Sequence, residues 1–101
     1  MLFRSKSFDT FAPIGPWISD GLPPQNLRVE AYVNKKAVQI GHTSQMIFPV
    51  ATLVSFISGI MTLYPGDVIS TGTPNGVGPI KSGDVVEIFV EGVGVLRNSV
   101  A

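Results

Sequence analysis

The segment Ser70–Gly78 is the part of this 101-residue sequence whose residue types best suit chemistry; it reads Ser-Thr-Gly-Thr-Pro-Asn-Gly-Val-Gly. Its three glycines lack a Cβ, so the backbone can approach a ligand closely and expose N–H groups that suit carboxylate or enolate oxygens. Thr71 and Thr73 add hydroxyl donors on either side of Gly72. A tight structural loop would have the same composition, and composition alone favours that second interpretation.

Two well-known phosphate-binding motifs do not fit this segment. No Gly-Lys-Ser or Gly-Lys-Thr follows it, so it is not a P-loop. The glycine spacing differs from that of a dinucleotide-binding fingerprint, and the sequence predicts no helix directly after it.

Two further segments contain residues that could act on a substrate. In Arg4–Phe11, Lys6 stands near an aromatic ring and an Asp, an arrangement that could clamp an anionic substrate. A solvated surface lysine is the more common alternative. His42 is the only histidine and has no patterned carboxylate beside it, which favours a structural role over a base or ligand. No serine lies in a nucleophile elbow.

The acidic residues do not predict a metal site within this chain. No two carboxylates are separated by a single residue, and the acidic side chains of the second half fall in predicted turns or strands. The absence of cysteine excludes disulfides, thiolate metal ligands and cysteine nucleophiles.

The elements that must position these residues are mostly strands. Residues 27–33 alternate apolar and polar side chains, which predicts a half-buried strand, and Asn34-Lys35 turns it toward a partner at 37–40. A short strand is predicted at 68–71, directly before the glycine-rich loop. The remaining predicted features are an irregular start over 1–24, turns at 64–67 and 81–84, and a hairpin of 85–91 with 93–98 across Gly92.

Residues 49–62 change to a helical period and predict the one main helix, with Pro49 at its first position. Its second face carries small, uncharged side chains, and no charged residue occurs between Lys36 and Asp67. A solvated helix usually carries Lys and Glu. We therefore expect another chain or domain segment to cover this face.

Composition limits the class of protein. Hydrophobic residues make up 45% and charged residues 14%, below the roughly 25% of a typical soluble domain. Seven basic residues balance seven acidic ones, which argues against nucleic-acid binding. No apolar run is long enough to span a membrane and no signal peptide is recognisable, so we expect a cytoplasmic protein with no membrane partner.

Three blocks together resemble the fumarylacetoacetate hydrolase family. They are KSFDTFAPIGPW at 6–17, TSQMIF at 43–48 and LYPGDVISTGTPNGVGP at 63–79. Their order and spacing match across essentially the whole chain. Three long blocks in register are a far more specific signal than a single glycine motif.

The resemblance implies a fold and a chemistry. The fold would be β-rich α+β, part of the mixed β-sandwich roll of the family's C-terminal catalytic domain, and members commonly dimerise. Family members bind Mg²⁺ (or Mn²⁺ or Ca²⁺) through three carboxylates and act on small 2-keto or dicarbonyl acids. Their reactions are C–C hydrolysis, decarboxylation and keto–enol isomerisation, for instance in the breakdown of aromatic compounds.

The resemblance also implies roles for individual residues. Lys6 corresponds to the family's lysine and would face the substrate carboxylate or a developing oxyanion. Thr73 corresponds to the threonine of the Thr-Gly-Thr-Pro loop and would hold the carboxylate together with loop N–H groups, including that of Gly72. Thr71 is a further substrate-binding candidate. The metal would stabilise the enolate formed when a neighbouring bond breaks.

The chain departs from the family pattern at its start. The family's metal carboxylates and mobile lid precede the lysine block, with which this sequence begins. We therefore expect residues 1–101 to form a single partial domain, the C-terminal portion, which is inactive alone and pairs with the N-terminal half or forms a homodimer. The alternatives are a catalytically inactive truncated product and a β-rich binding or assembly module without chemistry.

Overall fold

The computed structural model describes residues 6–101; the predictions for residues 1–5, including Arg4 and the absence of a signal peptide, lie outside the described residues. The elements in chain order are β1 (Arg28–Val33), β2 (Lys36–His42), a short 3-10 helix (Thr43–Gln45), α1 (Val50–Ser58), β3 (Val85–Val90) and β4 (Gly94–Ser99). The strands form one antiparallel sheet in the order β2-β1-β3-β4. The predicted β-rich α+β fold with one main helix is confirmed.

Each predicted hairpin is present. Asn34 and Lys35 have φ angles of 51° and 67°, the left-handed values that a two-residue hairpin turn of this twist requires. At the second hairpin, Gly92 has a φ of 74° and the Val93 N–H donates to the Val90 carbonyl at 3.0 Å. The first strand of this hairpin ends at Val90, one residue before the predicted bound, and the second begins at Gly94, one residue after it. The reason is that the turn takes three residues.

Two turns of the chain share one design. In each, the backbone N–H of an Asp donates to the carbonyl three residues earlier, and the Asp carboxylate accepts from the N–H of that same residue. The bonds are 3.0 and 2.8 Å between Tyr64 and Asp67, and 3.0 and 2.9 Å between Lys81 and Asp84. Both predicted turns are confirmed, and their similar sequences, Pro-Gly-Asp at 65–67 and Ser-Gly-Asp at 82–84, form the same local structure.

Two predicted elements differ in the structure. The helix is shorter than 49–62: Pro49 is its N-cap rather than its first helical residue, and Gly59 caps its C-terminus. The predicted strand at 68–71 is wrong, since this segment has no regular structure. A strand needs a hydrogen-bonded neighbour, and the four-stranded sheet of the described residues does not extend to this segment.

The core is small for a chain of this length. Val29, Ala31 and Val33 share one face of the sheet with Val86, Ile88 and Val90 of β3, yet Ala31 is the only buried hydrophobic residue of residues 6–101. The accessible surface is 8016 Å². A compact monomer of this mass would expose about 5,500 Å². The fold therefore leaves much of its apolar surface uncovered.

Candidate functional site

A pocket of about 660 Å³ lies between the sheet and the glycine-rich loop. Val29, Gly41 and Val90 contribute to it from three adjacent strands. The rest of the lining comes from four places: the end of β2, the segment after it, one helical side chain, and the loop. These residues are His42, Thr43, Gln45, Met46, Ile47, Phe48, Leu53, Thr71, Gly72, Thr73 and Pro74.

Thr71, Gly72 and Thr73, predicted as substrate-binding residues, all line this pocket. All three are exposed to solvent and lie in irregular chain rather than in a strand. Gly72 has a φ of 98°, a conformation that an L-residue with a side chain seldom adopts. Because residues 68–71 do not form a strand, strand alternation does not set the direction of the Thr71 side chain.

The loop packs closely on β2, and two glycines make this possible. A Cβ on Gly41 would lie 2.9 Å from Cβ of Pro74, closer than side chains approach one another. A Cβ on Gly76 would overlap the carbonyl oxygen of Val38. Val38 is the extra residue of a β-bulge, since the β1–β2 register shifts between Ala31 and Tyr32. The bulge and the loop thus meet directly.

Gln39 holds the loop from the same strand. Its side-chain Nε2 donates to the Pro74 carbonyl at 2.6 Å and to Thr73 Oγ1 at 3.0 Å, and it lies 3.4 Å from the carbonyl of Asn75. A carboxamide nitrogen has two hydrogens, so the two shorter contacts use both. Gln39 therefore contacts three consecutive residues of the loop, Thr73, Pro74 and Asn75.

Lys6 lies beside the same loop although it is 64 residues away in sequence. Its Nζ is 3.5 Å from Oγ of Ser70, the residue directly before Thr71. This is the outer limit of a hydrogen bond, and the lysine side chain is exposed, so the ammonium can turn toward the loop. The structure brings together a cation and the hydroxyl-bearing loop, the two features singled out in the sequence.

His42 has a structural role in the described residues. The His42 Nδ1 accepts the backbone N–H of Ser44 at 3.3 Å and lies 2.7 Å from the Ser44 hydroxyl oxygen. The backbone N–H of His42 donates to Gln45 Oε1. These bonds form the N-terminal cap of the 3-10 helix. The ring lines the edge of the pocket while its Nδ1 is used for capping.

Gln25 fixes the wall of the pocket formed by residues 46–48. Its Nε2 donates to the Thr43 carbonyl at 3.1 Å, and its Oε1 accepts the Val50 N–H at 2.6 Å. One side chain thus joins the 3-10 helix to the start of α1. The N–H at a helix start has no partner inside the helix, so this bond satisfies it.

The opposite face of the sheet carries charged side chains. Arg28 pairs with Glu30 at 3.1 Å and lies 5.3 Å from the centre of the Phe89 ring, and Glu87 faces Arg97 at 3.8 Å. The Tyr32 hydroxyl donates to Glu30, and this bond is the main reason that the pKa of Tyr32 is raised. None of the residues predicted for the site lies on this face.

Residues 6–101 contain no group of three or more His, Asp or Glu side chains that could hold a metal ion. The lining of the pocket described above carries no carboxylate. The residues present therefore do not fit a divalent-cation site. The described residues beside the pocket offer neutral hydrogen-bond donors and one ammonium, that of Lys6.

Gln39 is the residue of this site that the sequence did not predict. It stands in an otherwise apolar stretch, Ala37 to Ile40, whose pattern predicts a strand but no role in the site. The signal is a single carboxamide in an apolar strand segment. Gln39 is half-buried in the structure, and a carboxamide removed from water needs hydrogen-bond partners. The partner could not be identified because it lies 34 residues away.

The fold, the loop and the position of Lys6 agree with one family. The sequence profile described as fumarylacetoacetate (FAA) hydrolase C-terminal matches residues 1–101. The chain belongs to the fumarylacetoacetate hydrolase family.

Curated relatives include proteins with and without a described activity. An uncharacterised protein of Methanocaldococcus jannaschii is 59% identical over 97 residues, covering 96% of this chain and 41% of its own length. The 4-hydroxyphenylacetate degradation bifunctional isomerase/decarboxylase of Salmonella dublin is 44% identical, covering 96% of this chain and 23% of its own length.

Solved structures give the same fold. The 5-carboxymethyl-2-hydroxymuconate delta-isomerase of Mycobacterium smegmatis superposes with a TM-score of 0.91 and 49% identity over 95% of this chain. Maleylpyruvate hydrolase from Sphingobium, in complex with manganese(II) and pyruvate, has a TM-score of 0.87 and 38% identity over 91% of this chain. This chain spans 38% and 36% of those two chains. Within residues 6–101, no helix is both long and apolar enough to cross a membrane.

Proposed function

We propose that this chain supplies the carboxylate-binding side of the active site in an enzyme that acts on small 2-keto or dicarbonyl acids. The observation that carries the proposal is the meeting of Lys6 with the loop that bears Thr71 and Thr73, at the edge of a pocket with apolar walls. The reaction is C–C hydrolysis, keto–enol isomerisation or decarboxylation, and aromatic-compound breakdown is the expected setting.

The names of similar proteins support this substrate class. They include a 5-carboxymethyl-2-hydroxymuconate delta-isomerase, a bifunctional isomerase/decarboxylase and a hydrolase of maleylpyruvate. The three reactions share a chemical requirement, because each passes through an enolate next to a carboxylate. A site that binds the carboxylate and stabilises negative charge on the neighbouring enolate oxygen would support all three reactions.

The residues of this chain would bind and orient the substrate. Thr73 and the loop N–H groups would donate to the carboxylate, and the Lys6 ammonium would oppose the charge that develops on the enolate oxygen. Phe48 and Leu53, on the apolar side of the pocket, would lower the local dielectric and so strengthen these interactions.

A divalent cation belongs to the proposal, with Mg²⁺ or Mn²⁺ the expected ion, and a similar structure holds manganese(II) and pyruvate together. Because the described residues do not fit a metal site, its ligands would come from outside this chain. We assign no step of the reaction to that ion. The role of residues 6–101 is to bind the anionic end of the substrate.

The proposal is tested in a completed domain, which here means residues 1–101 joined to the N-terminal part of the M. smegmatis isomerase. Lys6→Ala and Thr73→Ala should each lower kcat/KM by about tenfold or more, the scale of losing an oriented charged or hydrogen-bonding group. The assays are isomerisation of 5-carboxymethyl-2-hydroxymuconate, acylpyruvate hydrolysis and oxaloacetate decarboxylation. Lys36→Ala and Thr62→Ala, which remove similar exposed side chains outside the pocket lining, are the controls. Near wild-type activity of both test variants would contradict the assignment.

A further inference from the structure

The hydrogen bonds of Gln39 determine which way the Thr73 hydroxyl can point. The Pro74 carbonyl can only accept, so the group 2.6 Å from it must be the NH₂ of the Gln39 carboxamide. The second hydrogen of that NH₂ then faces Thr73 Oγ1 at 3.0 Å. The threonine oxygen therefore accepts from Gln39, and its own hydrogen is left to donate elsewhere.

The remaining direction for that hydrogen is set by the position of the loop. Thr73 is exposed and lines the pocket, whereas Gln39 approaches from the strand beneath the loop. A carboxylate only accepts hydrogen bonds, so the binding of a 2-keto acid needs Thr73 as a donor. The bond from Gln39 selects that donor state before the substrate arrives.

The surroundings fix Gln39 in this position. Its neighbour Val38 is the bulged residue whose carbonyl touches Gly76, and Gly41 contacts Pro74 two residues further along the strand. Both contacts leave no space for a Cβ, so the loop and strand cannot slide past one another without a clash. The strand is thereby held against the loop over the segment Thr73–Gly76, and the carboxamide lies against its first three residues.

We propose that Gln39 is a positioning residue that orients the Thr73 hydroxyl as a hydrogen-bond donor to the substrate carboxylate. This inference rests on the proposed function, because it assumes that Thr73 binds the carboxylate. It adds a residue outside the pocket lining to the residues that determine affinity. Gln39 does not touch the substrate.

The experiment measures the affinity of the completed domain, loaded with Mg²⁺, for pyruvate by isothermal titration calorimetry. The variants are Gln39→Glu, Gln39→Leu, Thr73→Val and the two double variants. Glu at this position accepts from the threonine hydroxyl and so turns its hydrogen away from the pocket. We expect Gln39→Glu and Thr73→Val each to weaken binding about tenfold or more, and each double variant to bind no more weakly than Thr73→Val alone.

The pH dependence tests whether affinity needs a hydrogen-bond donor at position 39, and the double variants separate orientation of Thr73 from simple support of the loop. A protonated carboxyl can donate again, so the affinity lost in Gln39→Glu should return as the pH falls from 7 toward about 4.5, near the ordinary glutamate pKa. The loss in Gln39→Leu should not depend on pH in this way. Pyruvate remains an anion throughout this range.

Three outcomes would overturn the inference. If Gln39→Glu binds pyruvate as tightly as wild type while Thr73→Val does not, Gln39 has no positioning role and the proposed function survives. If the losses of the single variants multiply in the double variants, Gln39 supports the loop independently of the Thr73 hydroxyl. If Thr73→Val itself retains full affinity, the proposed function and this inference both fail.

Discussion

At the scale of single residues, polar side chains make the long-range connections of this small fold. Asn34 illustrates this at the far end of the sheet, where its Nδ2 donates to Asp84 Oδ1 and its Oδ1 accepts the Val85 N–H, each at 2.9 Å. Asp84 is 6% exposed and also accepts the Lys81 N–H. The carboxylate thus joins the β1–β2 turn to the turn that starts β3.

These bonds give Asp84 a predictable effect on acid stability. The Lys81 N–H, and next the Asn34 amide, lower the pKa of Asp84 from its ordinary value. A lowered pKa in the folded state contributes stability above the unfolded value of about 3.9, and that stability is lost as the pH falls through the folded value. Asp84→Asn should therefore destabilise the completed domain more at pH 7 than at pH 3.

Urea unfolding of both proteins at the two pH values measures this difference. Asp67→Asn, in the matching turn, is the control for loss of the turn bond, and it should cost less stability at pH 7 because Asp67 is exposed. A destabilisation by Asp84→Asn that is equal at both pH values would show that the charge of this carboxylate contributes nothing.

At the scale of elements, the sequence predicts what is encoded locally. The turn at Asn34-Lys35 and the two Gly-Asp turns form because their residues suit the required φ values and hydrogen bonds within four positions. The β1–β3 pairing was not predicted, since its partners Val29 and Val90 are far apart in the chain. The strand predicted at 68–71 is wrong for a related reason, because a short run of residues that suit a strand does not specify a partner strand.

The candidate site divides in the same way. Thr71–Thr73 was recognisable from its residue types, and Lys6 from the spacing of blocks shared with a family. Their proximity, and the bond from Gln39, depend on how β2 lies against the loop. No local pattern carries that information.

The contact between loop and bulge makes Gly76 the critical glycine of this element. Gly76 has a φ of 99° and no space for a Cβ beside Val38, so Gly76→Ala should destabilise the completed domain by about 1–3 kcal/mol and displace Thr73. We expect a higher KM as well as a lower melting temperature. Gly78→Ala is the matched control, because a Cβ there meets no atom within 4 Å. Its effect should stay within about 0.5 kcal/mol, and equal effects of the two substitutions would contradict the account of the loop.

At the scale of the whole molecule, the dominant feature is uncovered apolar surface. The radius of gyration is 14.4 Å. A compact domain of this length would have a value of about 13 Å. Large exposed side chains include Ile18 at 93%, Ile47 at 90% and Phe56 at 69%. The accessible surface is larger than that of a compact monomer of this mass by about 2,500 Å². One partner buries about 800 Å² in a standard interface, so the difference exceeds that area.

We therefore expect the isolated chain to self-associate and to lack activity. Contiguous exposed apolar patches drive dimerisation or aggregation. The chain alone should bind Mg²⁺ only weakly and turn over no acylpyruvate, because the described residues offer no carboxylate cluster. Analytical ultracentrifugation and a Mg²⁺-dependent assay measure both properties. A well-dispersed monomer, or Mg²⁺-dependent turnover by the 101-residue chain, would contradict this expectation.

The most direct test of the account is a crystal structure of the completed domain with pyruvate and Mg²⁺. We expect the pyruvate carboxylate to accept a hydrogen bond of about 3 Å from the Thr73 hydroxyl. The Lys6 ammonium should turn from Ser70 toward the pyruvate oxygens. Pyruvate bound away from the 71–73 segment, or a Lys6 side chain directed away from that segment, would contradict the proposal that this chain binds the substrate carboxylate.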